Sequence, residues 1–156
     1  MRAILTLVLL VLAAPAWAQY WTPYENARFG YEIDAPPGFE GNGESANGDG
    51  QIFYNSIAAQ GLSVWGGHFS EEFETEAAAA LDAARAGNWA IQSQSSTPHW
   101  AEFTAQRGDR VVRQRLITLC DGGSYAAFRL EFNVRDLAAL EPTMDGLQRS
   151  FMASDC

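Results

Sequence analysis

The stretch VVRQRLITLCDGGSYAAFRLEF, residues 111–132, decides the fold because it holds two strand-like segments around one tight turn. In its second half, apolar residues occupy the even positions from 126 to 132, and Tyr125, Arg129 and Glu131 are among the residues at odd positions. This alternation with a period of two is typical of a strand with one buried face. The intervening CDGGS has the residue types that tight hairpins need. The stretch therefore predicts an antiparallel hairpin with strands near 110–119 and 124–133.

Further strands are predicted on the N-terminal side of this hairpin. Segments near 90–95 and 99–106 precede it, joined to it by the turn QRGDR. FGYEIDAPPGF contains another period-two strand that Pro36 and Pro37 end, since proline cannot donate to a ladder. QIFYN and LSVWG predict two short strands joined through Ala59, Gln60 and Gly61.

Two helices complete the predicted order of elements. The first follows Ser70 as N-cap, buries an alanine-rich face and ends at Gly87 as the C′ residue. The second begins with Pro142 at its first position. Its apolar stripe consists of Met144, Leu147 and Phe151. The whole order predicts an α+β fold, an antiparallel β-sheet flanked by two helices as an α/β/α sandwich.

The first eighteen residues have the pattern of a signal peptide. Arg2 supplies a positive start, an apolar run extends from Ala3 to Ala14, and Ala16-Trp17-Ala18 is a small-x-small cleavage site. The run is too short to span ~30 Å of hydrocarbon. We therefore expect residues 1–18 to be removed and residues 19–156 to form a single α+β domain that is periplasmic or secreted.

The charge of the chain excludes several classes of partner. All ten basic residues are arginines against nineteen acidic residues, a formal net charge of −9. Without Arg2 this becomes nine against nineteen, or −10. Nucleic acids and anionic lipid surfaces require a basic footprint. The sequence therefore predicts no nucleic-acid partner and no membrane insertion once the signal peptide is removed.

The layout of these segments resembles the PsbP-like superfamily, which includes an extrinsic photosystem subunit and a Ran-binding import factor. The likeness rests on FGYEIDAPPGF, the helix in the middle of the chain, the long hairpin and the closing MDGLQRSF. It implies the PsbP-like fold and a non-enzymatic accessory or binding role. It transfers no functional residue, because no shared active-site motif matches this chain.

The glycine-rich GNGESANGDG, residues 41–50, is the first candidate site. An EF-hand register places Ser45 at position 1 and Ser56 at position 12, where calcium needs carboxylates. A dinucleotide fingerprint should follow a strand and open a helix, and neither context is predicted. We interpret the segment as a flexible connecting loop, with an irregular weak cation site as the alternative.

Ser124 in GGSYA and the two histidines are the candidates for catalysis or metal binding. GGSYA nearly matches the Gly-x-Ser-x-Gly elbow of hydrolases, but a strand rather than a helix is predicted to follow. Neither His68 nor His99 has neighbours at metal-ligand spacing. The sequence predicts no cofactor and no metal, and a serine hydrolase using Ser124 with a histidine remains the alternative function.

Five residues are candidates for ligand or partner binding. In SVWGGHF the two glycines indicate close approach of another group, either core aromatics or a ligand at an aromatic surface. Two arginines share one face of a strand and match a carboxylate or phosphate clamp, with pairing to Glu102 and Glu131 as the alternative. The candidates are Trp65, His68, Trp100, Arg113 and Arg115.

Cys120 and Cys156 are the only cysteines, and we expect them to form a disulfide in an oxidising compartment. An intermolecular bridge and a redox-active pair are the alternatives. Taken together, the residues predict an exported, non-enzymatic accessory or binding protein of the cell envelope. Its partner is a protein or a small ligand of that compartment.

Overall fold

A computed structural model describes residues 20–154 and 156, so the expected signal peptide lies outside the described residues. The described chain has ten strands, two α-helices and one 3-10 helix, Val134–Asp136. The strands are β1 (Thr22–Asn26), β2 (Tyr31–Ala35), β3 (Glu40–Gly41), β4 (Gly50–Asn55), β5 (Gln60–His68), β6 (Ala90–Ser96), β7 (Trp100–Arg107), β8 (Arg110–Thr118), β9 (Ser124–Asn133) and β10 (Met152–Ala153). The helices are α1 (Phe73–Ala86) and α2 (Glu141–Ser150). Neither helix is long and apolar enough to cross a membrane.

The strands form two antiparallel sheets rather than one. Seven strands follow the order β3-β4-β5-β9-β8-β7-β6, and three follow the order β1-β2-β10. The predicted hairpin is confirmed, because β8 pairs with β9 from Arg110 opposite Asn133 to Thr118 opposite Tyr125. The α+β class with antiparallel pairing and two helices is confirmed as well. The separate three-stranded sheet was not predicted, since β1 is largely exposed and β10 has only two residues.

One face of the seven-stranded sheet is closed by the three-stranded sheet and α2. The even-numbered residues of β9 point into this interface, and the predicted stripe of α2 packs against them. We call this side the closed face. Its fully buried side chains include Tyr31, Ile33, Leu62, Leu130, Phe132 and Leu147.

The opposite face is covered by α1 over only part of its width. Phe73, Ala77 and Ala84 of α1 are buried against side chains of β7, β8 and β9. Alanines in contact with the sheet allow the helix to approach closely. The helix packs over the β6 and β7 side of the sheet, and Ile52 and Tyr54 of β4 remain exposed on this face of the described chain.

The ends of α1 differ from the sequence-based expectation. Ser70 is not the N-cap; Glu72 occupies that position in an extended conformation and makes no side-chain capping bond. Phe69 is still hydrogen-bonded to the backbone of Gly123, so the chain needs the following residues to rise from the sheet to the helix layer. At the other end Gly87 has φ −81° and is the C-cap, and Asn88 adopts the left-handed conformation with φ 62°.

The disulfide between Cys120 and Cys156 is present, with Cα atoms 5.4 Å apart. Cys120 follows the end of β8, and Cys156 follows β10. Strand β10 pairs with β2, so the bridge fastens the C-terminus of the three-stranded sheet to the β8–β9 hairpin of the larger sheet.

Candidate functional site

The structure separates the five predicted binding residues onto two faces of the sheet. Trp65 lies opposite Ala127, which lies opposite Leu116, and all three belong to the cluster beneath α1. Arg115 lies opposite Phe128, a residue of the closed face. Successive residues alternate between faces, so Arg113 is on the side of Arg115; Trp100 lies opposite Ile117, which is on that side as well and away from Trp65. A single aromatic surface formed by both tryptophans does not exist.

Arg115 is engaged by its own protein. Its Nη1 donates to Glu102 Oε2 at 2.8 Å, and its guanidinium carbon lies 4.5 Å from the centre of the Trp100 ring. This is the pairing with Glu102 that the sequence analysis offered as the alternative to an anion clamp. Arg113 directs its Nη1 toward Met144 Sδ at 3.3 Å, in contact with α2. Arg115 therefore joins two neighbouring strands, and Arg113 contacts α2.

Ser124, His68 and Asp121 form a hydrogen-bonded trio at the turn between β8 and β9. Ser124 Oγ lies 2.7 Å from His68 Nδ1 and 2.6 Å from Asp121 Oδ2. The backbone N–H groups of Gly123 and Ser124 both donate to Asp121 Oδ1. The hydrogen bond from Ser124, the largest cause, and those from the backbone hold the pKa of Asp121 below its ordinary value.

The polarity of this trio is the reverse of a catalytic serine–histidine pair. Ser124 has one hydroxyl proton, which it donates to the ionised Asp121, so His68 Nδ1 must carry a proton and donate to Ser124. A nucleophilic serine instead donates to a histidine that acts as base. Ser124 is only 1% exposed, and the nearest backbone donors are already bound to Asp121. The trio fastens β5 to the hairpin.

The two glycines after Trp65 make room for aromatic rings of the protein itself. A Cβ on Gly66 would overlap the ring of Phe29, and one on Gly67 would come within 2.8 Å of the ring of Tyr125. Phe29 in turn packs beside His68, with ring centres 5.1 Å apart. The groups that approach the two glycines are therefore the aromatic rings of Phe29 and Tyr125.

The 41–50 loop, interpreted from the sequence as a flexible connection, makes several side-chain hydrogen bonds. Glu44 accepts hydrogen bonds from Tyr24 at 2.8 Å and from buried Asn26 at 2.9 Å. Ser45 and Asn47 both donate to Asp49, and the hydrogen bond from Ser45 is the main reason for the lowered pKa of Asp49. The described residues contain no cluster of three or more histidine, cysteine or acidic side chains suited to a metal.

The part of the sheet beside α1 forms a distinct surface, which we call the open face. Register places Ile52, Ser63 and Arg129 in one row across β4, β5 and β9. Tyr54 lies in the next row on the same side, and Trp65 borders it beneath α1. Ile52 and Tyr54 are 50% and 46% exposed. The open face consists of Ile52, Tyr54, Ser63, Trp65 and Arg129.

A groove of about 360 Å³ separates the open face from α1. Its walls include Trp65, Tyr125 and Arg129 from the sheet, alanines of α1, and Trp89, which follows the helix. The guanidinium carbon of Arg129 lies 5.1 Å from the centre of the Trp89 ring. The alternation along β9 places Arg129 on one face with Tyr125 and Glu131, but nothing in the sequence indicates that Trp89 contacts this face.

Two solved structures resemble this fold over nearly its whole length. The cyanobacterial PsbP of Synechocystis sp. PCC 6803 has 15% identity and a TM-score of 0.64, with coverage of 92% of this chain and 98% of that chain. The Saccharomyces cerevisiae Ran-binding protein Mog1p has 10% identity and a TM-score of 0.63, covering 88% of this chain and 97% of its own. The PsbP-like fold is therefore confirmed.

Sequence comparison adds no further relative. No protein-family model matches the chain, and no curated protein sequence matches it. At identities of 10% and 15% the two structures establish the fold alone.

Proposed function

We propose that this protein is a non-enzymatic binding or accessory protein, exported to the cell envelope, which holds a protein partner on its open face. The observation that carries the proposal is the exposure of Ile52 and Tyr54 on a sheet face beside Trp65, where α1 leaves the strands uncovered. Large apolar and aromatic residues grouped on a surface are typical of interaction sites.

The fold likeness supports a binding role by analogy. One of the two structures of similar fold is a Ran-binding protein, so a scaffold of this kind binds a protein in that case. Fold by itself does not determine function, so the exposed side chains of the open face carry the proposal.

Two features support export. The N-terminal residues have the charge, apolar run and cleavage pattern of a signal peptide. The Cys120–Cys156 disulfide suits an oxidising compartment such as the periplasm or the extracellular space. N-terminal sequencing of the protein secreted by its own cells should begin at Gln19; a chain that retains Met1 in the cytoplasm would contradict export.

The alternative serine hydrolase is disfavoured by the reversed polarity of the Ser124–His68 contact and by the burial of Ser124. A fluorophosphonate probe should label the protein no more than it labels Ser124→Ala. Stoichiometric labelling that the Ser124→Ala variant abolishes would establish the hydrolase instead.

Site-specific cross-linking tests the open face directly. A photoreactive phenylalanine analogue replaces Tyr54 in one variant and Gln148, an exposed residue of α2 on the closed side, in the control. Irradiation in the native envelope fraction should give a discrete adduct from position 54 and none from position 148. Equal adducts from both positions, or none from position 54, would contradict the proposal.

A further inference from the structure

Arg129 is an arginine on the open face without a partner for its charge. It is half-buried, yet within residues 20–154 and 156 its guanidinium makes no hydrogen bond or salt bridge. Guanidinium groups that lose water are normally paired with carboxylates or phosphates. In a strongly acidic protein, an arginine that no acid of the chain engages keeps its N–H donors free for an acid of another molecule.

The surroundings of Arg129 hold it in position and concentrate positive charge. Buried Trp89 contacts two guanidinium groups, with Arg107 at 4.4 Å and Arg129 at 5.1 Å from ring centres. Arg107 is fixed by donating to the carbonyl of Gly87 at 2.9 Å. Stacking on an indole leaves the edge of a guanidinium free to donate hydrogen bonds. Two oriented guanidinium groups therefore lie beside one ring.

Glu131, on the same face of β9, offsets the positive charge of this cluster only in part. Glu131 forms a salt bridge with Arg110, with 3.2 Å between Oε1 and Nε, and Arg110 also donates a hydrogen bond to the carbonyl of Ala59. Burial is the main reason that the pKa of Arg129 is lowered; Glu131 partly opposes the shift and Arg107 adds to it. A carboxylate placed at the guanidinium edge would offset both the burial and the repulsion from Arg107.

The groove beside Arg129 suits an apolar side chain. Its apolar walls include Trp65, Leu116 and alanines of α1, with Gln114 as a polar group of the sheet, and its volume is about 360 Å³. Glu76 of α1 also borders it, on the side of Tyr125, whose pKa is raised first by burial and then by Glu76. From Arg129 the row of the open face continues through Ser63 to Ile52, two strands and ~10 Å away, which is about three residues of extended chain.

We propose that Arg129, assisted by Arg107, binds the carboxylate of an acidic segment of a partner protein whose neighbouring apolar side chain enters the groove beside α1. This inference rests on the proposed function and specifies the chemistry of the partner. An extended segment fits better than a small molecule, because the exposed Ile52 and Tyr54 continue the surface well beyond the groove.

A displayed library of random peptides, selected on the wild-type protein, tests this specificity. Enriched sequences should carry aspartate or glutamate next to an apolar residue. Labelled synthetic copies should bind Arg129→Gln roughly tenfold more weakly by fluorescence polarisation, since charge-assisted hydrogen bonds are lost. Arg149→Gln, an exposed arginine of α2, is the matched control and should bind within about twofold of wild type.

Replacing the acidic residue of the peptide by its amide provides an independent measurement. The amide peptide should lose affinity for the wild type but show no further loss with Arg129→Gln, as expected for two groups in direct contact. Arg129→Lys keeps the charge without the planar fork and should bind with intermediate affinity. If Arg129→Gln does not fold, the Lys variant and the amide peptide still decide the question.

Three results would overturn the inference, and they differ in what they say of the proposed function. Selected peptides that lose binding with Ile52→Ser but not with Arg129→Gln leave the binding role intact and remove the carboxylate contact. Peptides insensitive to both variants remove both proposals. A library that yields no enriched sequence also removes both.

Discussion

The closed and open faces of the seven-stranded sheet are built from the same strands under opposite constraints. On β9, Leu130 is fully buried against α2 and the three-stranded sheet, whereas the next residue back, Arg129, lies beside a groove open to solvent. A period of two places each role on its own side of the backbone. Stability and recognition can therefore be altered separately in adjacent residues.

The largest expected effect comes from opening a cavity on the closed face. Leu130→Ala should lower the free energy of unfolding by about 2–5 kcal/mol, because the cavity lies among fully buried neighbours. Arg129→Gln, its neighbour, should cost about 1 kcal/mol or less, because it has stacking but no ion pair to lose. Urea titration measures both. Equal losses of unfolding free energy would mean that the two faces contribute equally to stability.

The disulfide links the three-stranded sheet, part of the closed side, to the long hairpin. Its sequence separation of 36 gives a chain-entropy contribution of about 4 kcal/mol as an upper value. Replacing both cysteines by serine should lower the unfolding free energy by about 2–4 kcal/mol while leaving the open face able to bind. Thermal and urea unfolding would show this. No change in the midpoint would mean that packing alone fixes the C-terminus.

The closed face was largely predictable because its signals are local. Alternation marked Phe128, Leu130 and Phe132 of β9, and the spacing of Met144 and Leu147 marked the buried stripe of α2. The cysteine pair followed from there being only two. The periodicity of apolar residues predicts which side chains are buried, and the closed face is formed by buried side chains.

The open face was only partly predictable because it depends on contacts between distant segments. Trp65 was identified as a candidate, but its supposed partner Trp100 lies on the other side of the sheet. Two contacts between distant segments define the surroundings of Arg129. Glu131 forms a salt bridge with Arg110, and Trp89, which follows α1, packs against the Arg129 guanidinium. Alternation assigns a residue to a face but does not say what lies above that face.

The pH dependence of stability tests the turn between β8 and β9, which contains Asp121. The pKa of Asp121 is lowered from its ordinary 3.8, so its stabilising contribution is present above that pH and is lost as pH falls through the lower folded pKa. Asp121→Asn should be slightly less stable than wild type at pH 7, and the difference in unfolding free energy should begin to shrink as the pH falls below about 4. The side chain is exposed, so screening keeps the effect well below that of the disulfide. Asp145→Asn removes a charge from α2 without touching the hairpin and is the control. A constant difference down to pH 2 would show that charge on Asp121 does not stabilise the fold.

The smallest expected effect on stability comes from Ile52 at the centre of the open face. Its side chain is 50% exposed, and threonine keeps the β-branched shape that suits a strand. Ile52→Thr should therefore change the unfolding free energy by no more than about 0.5 kcal/mol. The adjacent Phe53 points to the closed face and is 4% exposed, so Phe53→Ala should cost about 3–5 kcal/mol.

The same Ile52→Thr variant should lose most of the photo-cross-linking at position 54, because an apolar contact between partner and open face is weakened. If Ile52→Thr destabilises the protein as much as Phe53→Ala, the open face is part of the core, and its exposed residues serve folding rather than recognition.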